Sequence, residues 1–197
     1  MPIYKTEKLL VRTIKPNDVD LIAKWLSDPQ VLEFYEGRDN PFDTDKVKQK
    51  FLNRDDKVTR CLVEYDGVPI GYIQFYPIES DERVKYGYED SLEIIFGTDQ
   101  FIGEPEYWNQ GIGTLLVQSM FDYLVNQKQA NRIVMDPQTW NERAIATYEK
   151  CGMKKVKLLP ENEWHEGEYR DCWLMEYTNK EKVGEYNETY PRSHYRV

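Results

Sequence analysis

Apolar and polar residues alternate over short runs in much of the chain and switch to helical spacing in others, which marks strands separated by helices. Leu9 to Ile14 reads as a first strand. Pro16-Asn17-Asp18 then opens a helix whose Val19, Ile22, Ala23 and Leu26 fall on one face, with Pro16 suited to a first helical turn. Asp43 to Asn53 offers a second helical segment, with Val47 and Phe51 at helical spacing. The intervening VLEFYEGRDNP is aromatic, acidic and poorly periodic, as expected of a loop or broken helix. Thr59 to Tyr65 and Val68 to Tyr76 are β-branched and aromatic runs flanking Asp66-Gly67, the pattern of an antiparallel hairpin. The polar PIESDERVKYGYED reads as a turn. Leu92 to Phe101 then gives a strand, and Gly97 inside it signals a bulge or a close backbone approach.

Beyond Trp108, NQGIGT leads into a helix whose Ile112, Leu116, Met120 and Leu124 repeat every four residues along one stripe. Arg132 to Met135 is a short apolar strand stopped by Asp136-Pro137. Asn141 is placed to cap ERAIATYEKC, and Gly152 to end it. Met153 to Leu158 and Tyr169 to Tyr177 supply two closing strands. The remaining NKEKVGEYNETYPRSHYRV is polar and unpatterned, a tail at 179–197 beyond one domain at 1–178. This order predicts an α+β or α/β domain around a mixed sheet, because strand-helix-strand units demand parallel crossovers and the hairpin does not.

With 197 residues and 40% hydrophobic content, the chain suffices for one domain with a proper core. The formal net charge of -9 disfavours nucleic acid, whose backbone requires clustered Lys and Arg, and leaves open an acidic cleft for a cationic ligand. The N-terminus is charged every few residues rather than apolar like an export signal, and no stretch approaches the ~20 apolar residues of a membrane span. A cytoplasmic protein with no membrane partner is therefore expected. Cys61, Cys151 and Cys172 lack CxxC spacing and sit in apolar stretches, as reduced core residues do. With His165 and His194 as the only histidines, neither a histidine-based metal site nor a Ser-His-Asp triad is expected.

The sharpest chemical signal is Asn109-Gln110-Gly111-Ile112-Gly113-Thr114. Its glycines let main-chain N–H groups approach a phosphate, and the following helix adds its positive N-terminal end. The alternative is an ordinary turn before a helix. A nucleoside triphosphate loop does not fit, since no Lys-Ser/Thr follows, and the dinucleotide fingerprint lacks its third glycine.

In order, SLEIIFGTDQF, EPEYWNQGIGT, IVMDP and NERAIATYEKCGM resemble the core of the GNAT acetyltransferase superfamily, with Trp108 where that family usually has Gln or Arg. LEFYEGR from Leu32, VPIGY from Val68, GTDQFIGEP from Gly97, Asp136-Pro137, LPE from Leu159 and HEG from His165 narrow the likeness. They resemble the aminoglycoside 6′-N-acetyltransferases, including the acetylating half of the bifunctional acetyltransferase-phosphotransferase, over roughly residues 7–178. The likeness implies the GNAT fold, a central mixed twisted sheet of about six to seven strands flanked by helices. It also implies transfer of acetyl from acetyl-coenzyme A to the 6′-amine of an aminoglycoside by direct attack in a ternary complex, and hence antibiotic resistance. A GNAT enzyme acting on a protein N-terminus or polyamine stays open as an alternative, as does a non-catalytic module that binds coenzyme A or antibiotic. A monomer or homodimer is expected.

By the same resemblance, Gln110, Gly111, Ile112, Gly113 and Thr114 hold the coenzyme pyrophosphate through main-chain N–H groups, and Phe101 and Ile102 present strand backbone to the pantetheine arm. Asn141 and Ala144 join the cofactor site, Asn141 by hydrogen bonding the pantetheine or by capping its helix alone. Asp99 matches the family's general base or, equally, an electrostatic anchor for the acceptor ammonium, and as a base it needs burial to lift the usual pKa of about 3.9. Tyr148 matches a tyrosine beside the coenzyme sulfur that protonates the leaving thiolate, or is a core residue on the apolar face with Ala144 and Ile145. Asp136 is a second anion for the acceptor or a turn residue before Pro137. Tyr35, Glu36, Tyr86, Glu89, Asp90 and Glu104 provide carboxylates and flat aromatic faces for a ring-bearing polyamine, or are solvated surface residues. Cys151 has no evident base and is not expected to act as a nucleophile.

Overall fold

The hairpin signal at Asp66-Gly67 is realised as two antiparallel strands, and these form the middle of a larger sheet. The strands are Pro2–Lys5 (β1), Leu9–Thr13 (β2), Thr59–Tyr65 (β3), Val68–Pro77 (β4), Ile95–Ile102 (β5), Arg132–Met135 (β6), Lys154–His165 (β7) and Glu168–Thr178 (β8). In the computed structural model, which describes residues 1–54 and 56–179, they make one eight-stranded sheet in the order β1-β2-β3-β4-β5-β6-β8-β7. Every neighbouring pair is antiparallel except β5 and β6, which run parallel and are joined through a helix. The polar segment expected as a tail lies outside the described residues from 180 onward.

Helices Val19–Trp25 (α1), Pro29–Leu32 (α2) and Thr44–Val47 (α3) cover one face of the sheet. There Val19, Ile22, Trp25, Val31 and Val47 pack with Leu62, Tyr72 and Phe101. Ser80–Tyr86 (α4) follows β4, and the helices Ile112–Gln127 (α5) and Glu142–Lys150 (α6) cover the other face. Ile112, Leu116, Met120, Leu124 and Ile145 bury there against Val63, Ile73, Phe75 and Met135. Each of these side chains contributes roughly 1.5–3 kcal/mol on full burial, which is what holds α5 to the sheet. Asn141 caps α6 by accepting from the Ala144 N–H at 3.2 Å, and Gly152 ends it with φ of 89°.

Four elements differ from the sequence expectation. Strand β1 was not anticipated, because PIYK is short, and it is anchored by Ile3 and Tyr4 against the core. The segment expected as a turn forms α4, which has no buried residue and hence no apolar stripe to read. It is held instead by a capping box between Glu79 and Glu82, a left-handed Gly87 at its end, and Arg83 donating to the carbonyls of Ser91 and Glu93. Beyond Val47 the second helical segment widens into a π turn at Lys48–Leu52. Strand β7 extends to His165 through Pro160, which an edge strand tolerates, with an irregular register between Leu159 and Glu163.

Parallel pairing between β5 and β6 lasts only from Ile95 to Gly97 against Arg132 to Val134. Gly97 has no side chain because a Cβ there would stand 2.6 Å from the Tyr76 ring. Among the described residues, Thr98 to Ile102 then continue beside β4 alone, which leaves the other edge of β5 bare.

Candidate active site

That bare edge faces a cavity of about 1230 Å³ bounded by the loop after α2, the segment before α5, the inner face of α6 and the far half of β7. Side chains alternate along a strand, so Asp99 and Phe101 face the α1–α3 side while Gln100 and Ile102 face the α5–α6 side. Because β6 has departed, both sets reach the same cavity. Two ligands can therefore meet at β5 from opposite faces of the sheet.

On the α1–α3 side the chemistry is anionic. Asp99 accepts a 2.7 Å hydrogen bond from the Gln74 amide, whose oxygen accepts in turn from the Tyr72 hydroxyl at 2.8 Å. Burial pushes the Asp99 carboxyl up to about 6 against the Gln74 hydrogen bond, and the charge of Asp136 adds to the rise. Asp136 follows β6 and accepts from the Tyr86 hydroxyl at 3.1 Å and the Asn162 amide at 3.0 Å. Glu163, on β7, lines the same region, and desolvation raises its carboxyl as well. Glu36 completes the group and is ion-paired with Lys50. Flat surfaces come from Tyr35, which packs on Phe101 at 4.7 Å between ring centres, and from Trp140 and Trp164.

On the α5–α6 side the Gln100 amide donates to the Tyr148 hydroxyl at 2.6 Å. Burial raises the Tyr148 pKa, with the Asp99 charge adding to the effect, so the phenol keeps its proton and has one to offer while its oxygen accepts from Gln100. The approach to α5 has Gly111 at φ 78°, a left-handed residue with nothing within 4 Å of where a Cβ would stand. Among the described residues no side chain caps α5, so its first-turn N–H groups are left for a ligand, and Gly111, Gly113 and Thr114 line the cavity there. Trp108 donates to the Ile102 carbonyl at 2.9 Å, tying the loop to the end of β5. Arg143, at the start of α6, sits 4.3 Å from the Phe34 ring and 4.2 Å from the Trp108 ring. This arrangement fits coenzyme A: open helix amides for the diphosphate, a bare strand edge for the amide-bearing pantetheine arm, and Tyr148 beyond it.

The cavity brings together Tyr35, Glu36, Asp99, Phe101, Ile102, Gly111, Gly113, Thr114, Asp136, Asn141, Ala144 and Tyr148. The Ile112 side chain packs in the core and the Gln110 side chain turns back to the Glu106 carbonyl, which leaves for these two the main-chain N–H role that was expected of them. Tyr86 stands behind the cavity wall and reaches it only through Asp136. Glu89 and Asp90 are exposed and do not line the cavity. Glu104 does not line it either, since it accepts from Lys24 at 2.6 Å and from the Trp25 indole at 2.8 Å. Sequence reasoning missed Gln74, Gln100, Trp140, Arg143, Asn162 and Glu163. Gln74 and Gln100 depend on register and strand face, whereas Asn162 and Glu163 stood in plain view beside LPE and HEG. Cys151 is buried with its thiol pKa raised, as suits a core residue.

The aminoglycoside N(6′)-acetyltransferase type 1 of Klebsiella pneumoniae is 26% identical over 152 residues, 76% of this chain and 75% of the relative. The solved structure of AAC(6′)-Ib with ribostamycin and coenzyme A matches with a TM-score of 0.72 at 23% identity, over 95% of this chain and 99% of that one. Spermidine N-acetyltransferase from Vibrio cholerae, in complex with coenzyme A and spermine, also reaches 0.72, at 18% identity over 90% of this chain and 99% of that one. At such identities the two solved structures speak for the fold. Residues 15–160 match the model of the acetyltransferase (GNAT) domain, and with that the chain belongs to the GNAT acetyltransferase family, whose acetyl donor is acetyl-coenzyme A.

Proposed function

We propose that this chain is an aminoglycoside 6′-N-acetyltransferase that works by direct transfer in a ternary complex. The observation that carries the reading is the division of one cavity into two ends: uncapped helix amides and Tyr148 on one face of β5, and Asp99, Asp136, Glu163 and Glu36 on the other. Acetyl-coenzyme A supplies the activated acetyl group as a thioester. Asp99 takes a proton from the acceptor ammonium, directly or through one water, and its pKa of about 6 suits a base that works near neutrality. Asp136, Glu163 and Glu36 hold the remaining ammonium groups by charge-assisted hydrogen bonds. Main-chain N–H groups at the bare edge of β5 polarise the reacting carbonyl. The Tyr148 phenol, held by Gln100, protonates the departing sulfur. Cys151 plays no covalent part.

A linear polyamine would also suit the carboxylates. The flat faces of Trp140 and Trp164 suit an acceptor that carries its ammonium groups on rigid rings, which loses less freedom on binding than a flexible chain does. A non-catalytic sensor would have no use for a raised carboxyl and a retained phenol on opposite faces of one strand.

The experiment is growth of a susceptible bacterium expressing this chain on aminoglycosides with and without a 6′-amine. Protection limited to drugs bearing that amine supports the reading. No protection against any of them, together with turnover of peptides or polyamines by the purified protein, overturns it.

A further inference from the structure

Two sequence segments have no role in the reaction as described, Gly37-Arg38 after α2 and Glu166-Gly167 between β7 and β8, yet they meet in space. The Arg38 Nε and main-chain N–H donate to Glu166 Oε1 at 2.6 and 2.9 Å, and Nη2 donates to Oε2 at 2.7 Å. This fork-to-fork geometry fixes direction as well as distance. It closes across 128 residues of sequence. Glu36 and Gly37 have positive φ at 72° and 96°, and Glu166 and Gly167, at 50° and 89°, form the two-residue turn of the β7–β8 hairpin, which presents Glu166 to Arg38. Such conformations are uphill for residues with a Cβ and persist where the surroundings over-determine them. At Gly37 a Cβ would stand 2.7 Å from an Asp39 carboxylate oxygen and 3.4 Å from Glu166 Cγ, so glycine lets the two segments close.

Neither Arg38 nor Glu166 lines the cavity, but the residues beside each do. Tyr35 and Glu36 lie on one segment, and Glu163 and Trp164 on the other. We propose that the Arg38–Glu166 pair is a positioning clasp that fixes the spacing of the Glu36 and Glu163 walls and so sets acceptor affinity without touching the substrate. The inference rests on the reading of that anionic end as the acceptor pocket. The Arg38 side chain is 53% exposed, and an ion pair so placed adds little to global stability, so its effect should appear in binding geometry.

The test compares full-length wild type with R38A, E166A and the double variant, by steady-state acetyl transfer and by hydrogen exchange over residues 33–40 and 161–167. Each single variant should raise acceptor KM roughly fivefold, with kcat and the KM for acetyl-coenzyme A within about twofold of wild type, and the double variant should be no worse than either. Exchange should quicken in both segments together, with Tm changed by no more than a few degrees. Unchanged acceptor KM, additive losses in the double variant, or exchange that quickens in only one segment overturns the clasp. The acceptor is whichever member of a panel of aminoglycosides, polyamines and N-terminal peptides the wild type acetylates best. If that member is not an aminoglycoside, the aminoglycoside reading fails while the clasp is still decided by its own readouts, and the exchange measurement needs no acceptor at all.

Discussion

Gln74 donates its 2.7 Å hydrogen bond to Asp99 from the position directly opposite on the adjoining strand, so the orientation of the carboxylate is set by sheet register. The amide steadies the charged form while burial opposes it, and burial prevails, leaving a carboxyl that titrates near 6.

Activity should follow that titration. In wild type, kcat/KM for the acceptor rises with pH through an apparent pKa of about 6 as Asp99 loses its proton. Asn at this position cannot take a proton, so D99N should lower kcat on the order of 100-fold and lose this limb of the profile. A D99N profile that keeps the limb would assign it to another group.

The same carboxyl should cost stability. Its folded pKa of about 6 lies above the ordinary value of 3.8, so between the two the folded chain holds a proton that the unfolded chain has released. Stability therefore falls as pH rises through that window, and the full deficit, on the order of 3 kcal/mol, is present above it. Thermal melts of D99N should show a gain over wild type at pH about 7.5 that vanishes near pH about 4. An equal gain at both values would point to packing instead.

Tyr148 is expected to act on the leaving sulfur. Y148F should lower kcat roughly 10- to 100-fold with the KM for acetyl-coenzyme A nearly unchanged. The deficit should narrow with an acetyl donor whose thiol is more acidic, since that thiolate departs with less help. A uniform deficit across donors would reduce Tyr148 to a packing role with Ile145.

Gly111 tests the diphosphate end. Asp tolerates left-handed backbone, so G111D should fold, but its charge would stand at the open amides of α5. The KM for acetyl-coenzyme A should rise about tenfold or more while the acceptor KM stays within about twofold, read from initial rates.

Local pattern carried much of the fold. The Asp66-Gly67 hairpin, the four-residue stripe of α5, and β6 between Arg132 and Met135 are each specified within a few residues, and each forms as the pattern indicates. Helix α4 escaped because none of its residues is fully buried and it leans on caps and on Arg83. In the site, Asp99, Tyr148 and the glycine loop stood out through the family resemblance. Gln74 and Gln100 did not, because their roles exist only once β4, β5 and α6 are in register. Glu104 illustrates the converse: a carboxylate in a suggestive segment serves Lys24 and the Trp25 indole, a pairing that no local pattern announces.

The most direct measurement is thiol release by the purified chain with acetyl-coenzyme A and a matched pair of aminoglycosides differing only in amine or hydroxyl at the 6′ position. Acetyl transfer to the 6′-amine predicts robust release with that amine, at least about 100-fold higher in kcat/KM than with the 6′-hydroxyl, and a product acetylated on that nitrogen. Equal turnover of the pair, or release only with peptides or linear polyamines, would contradict it.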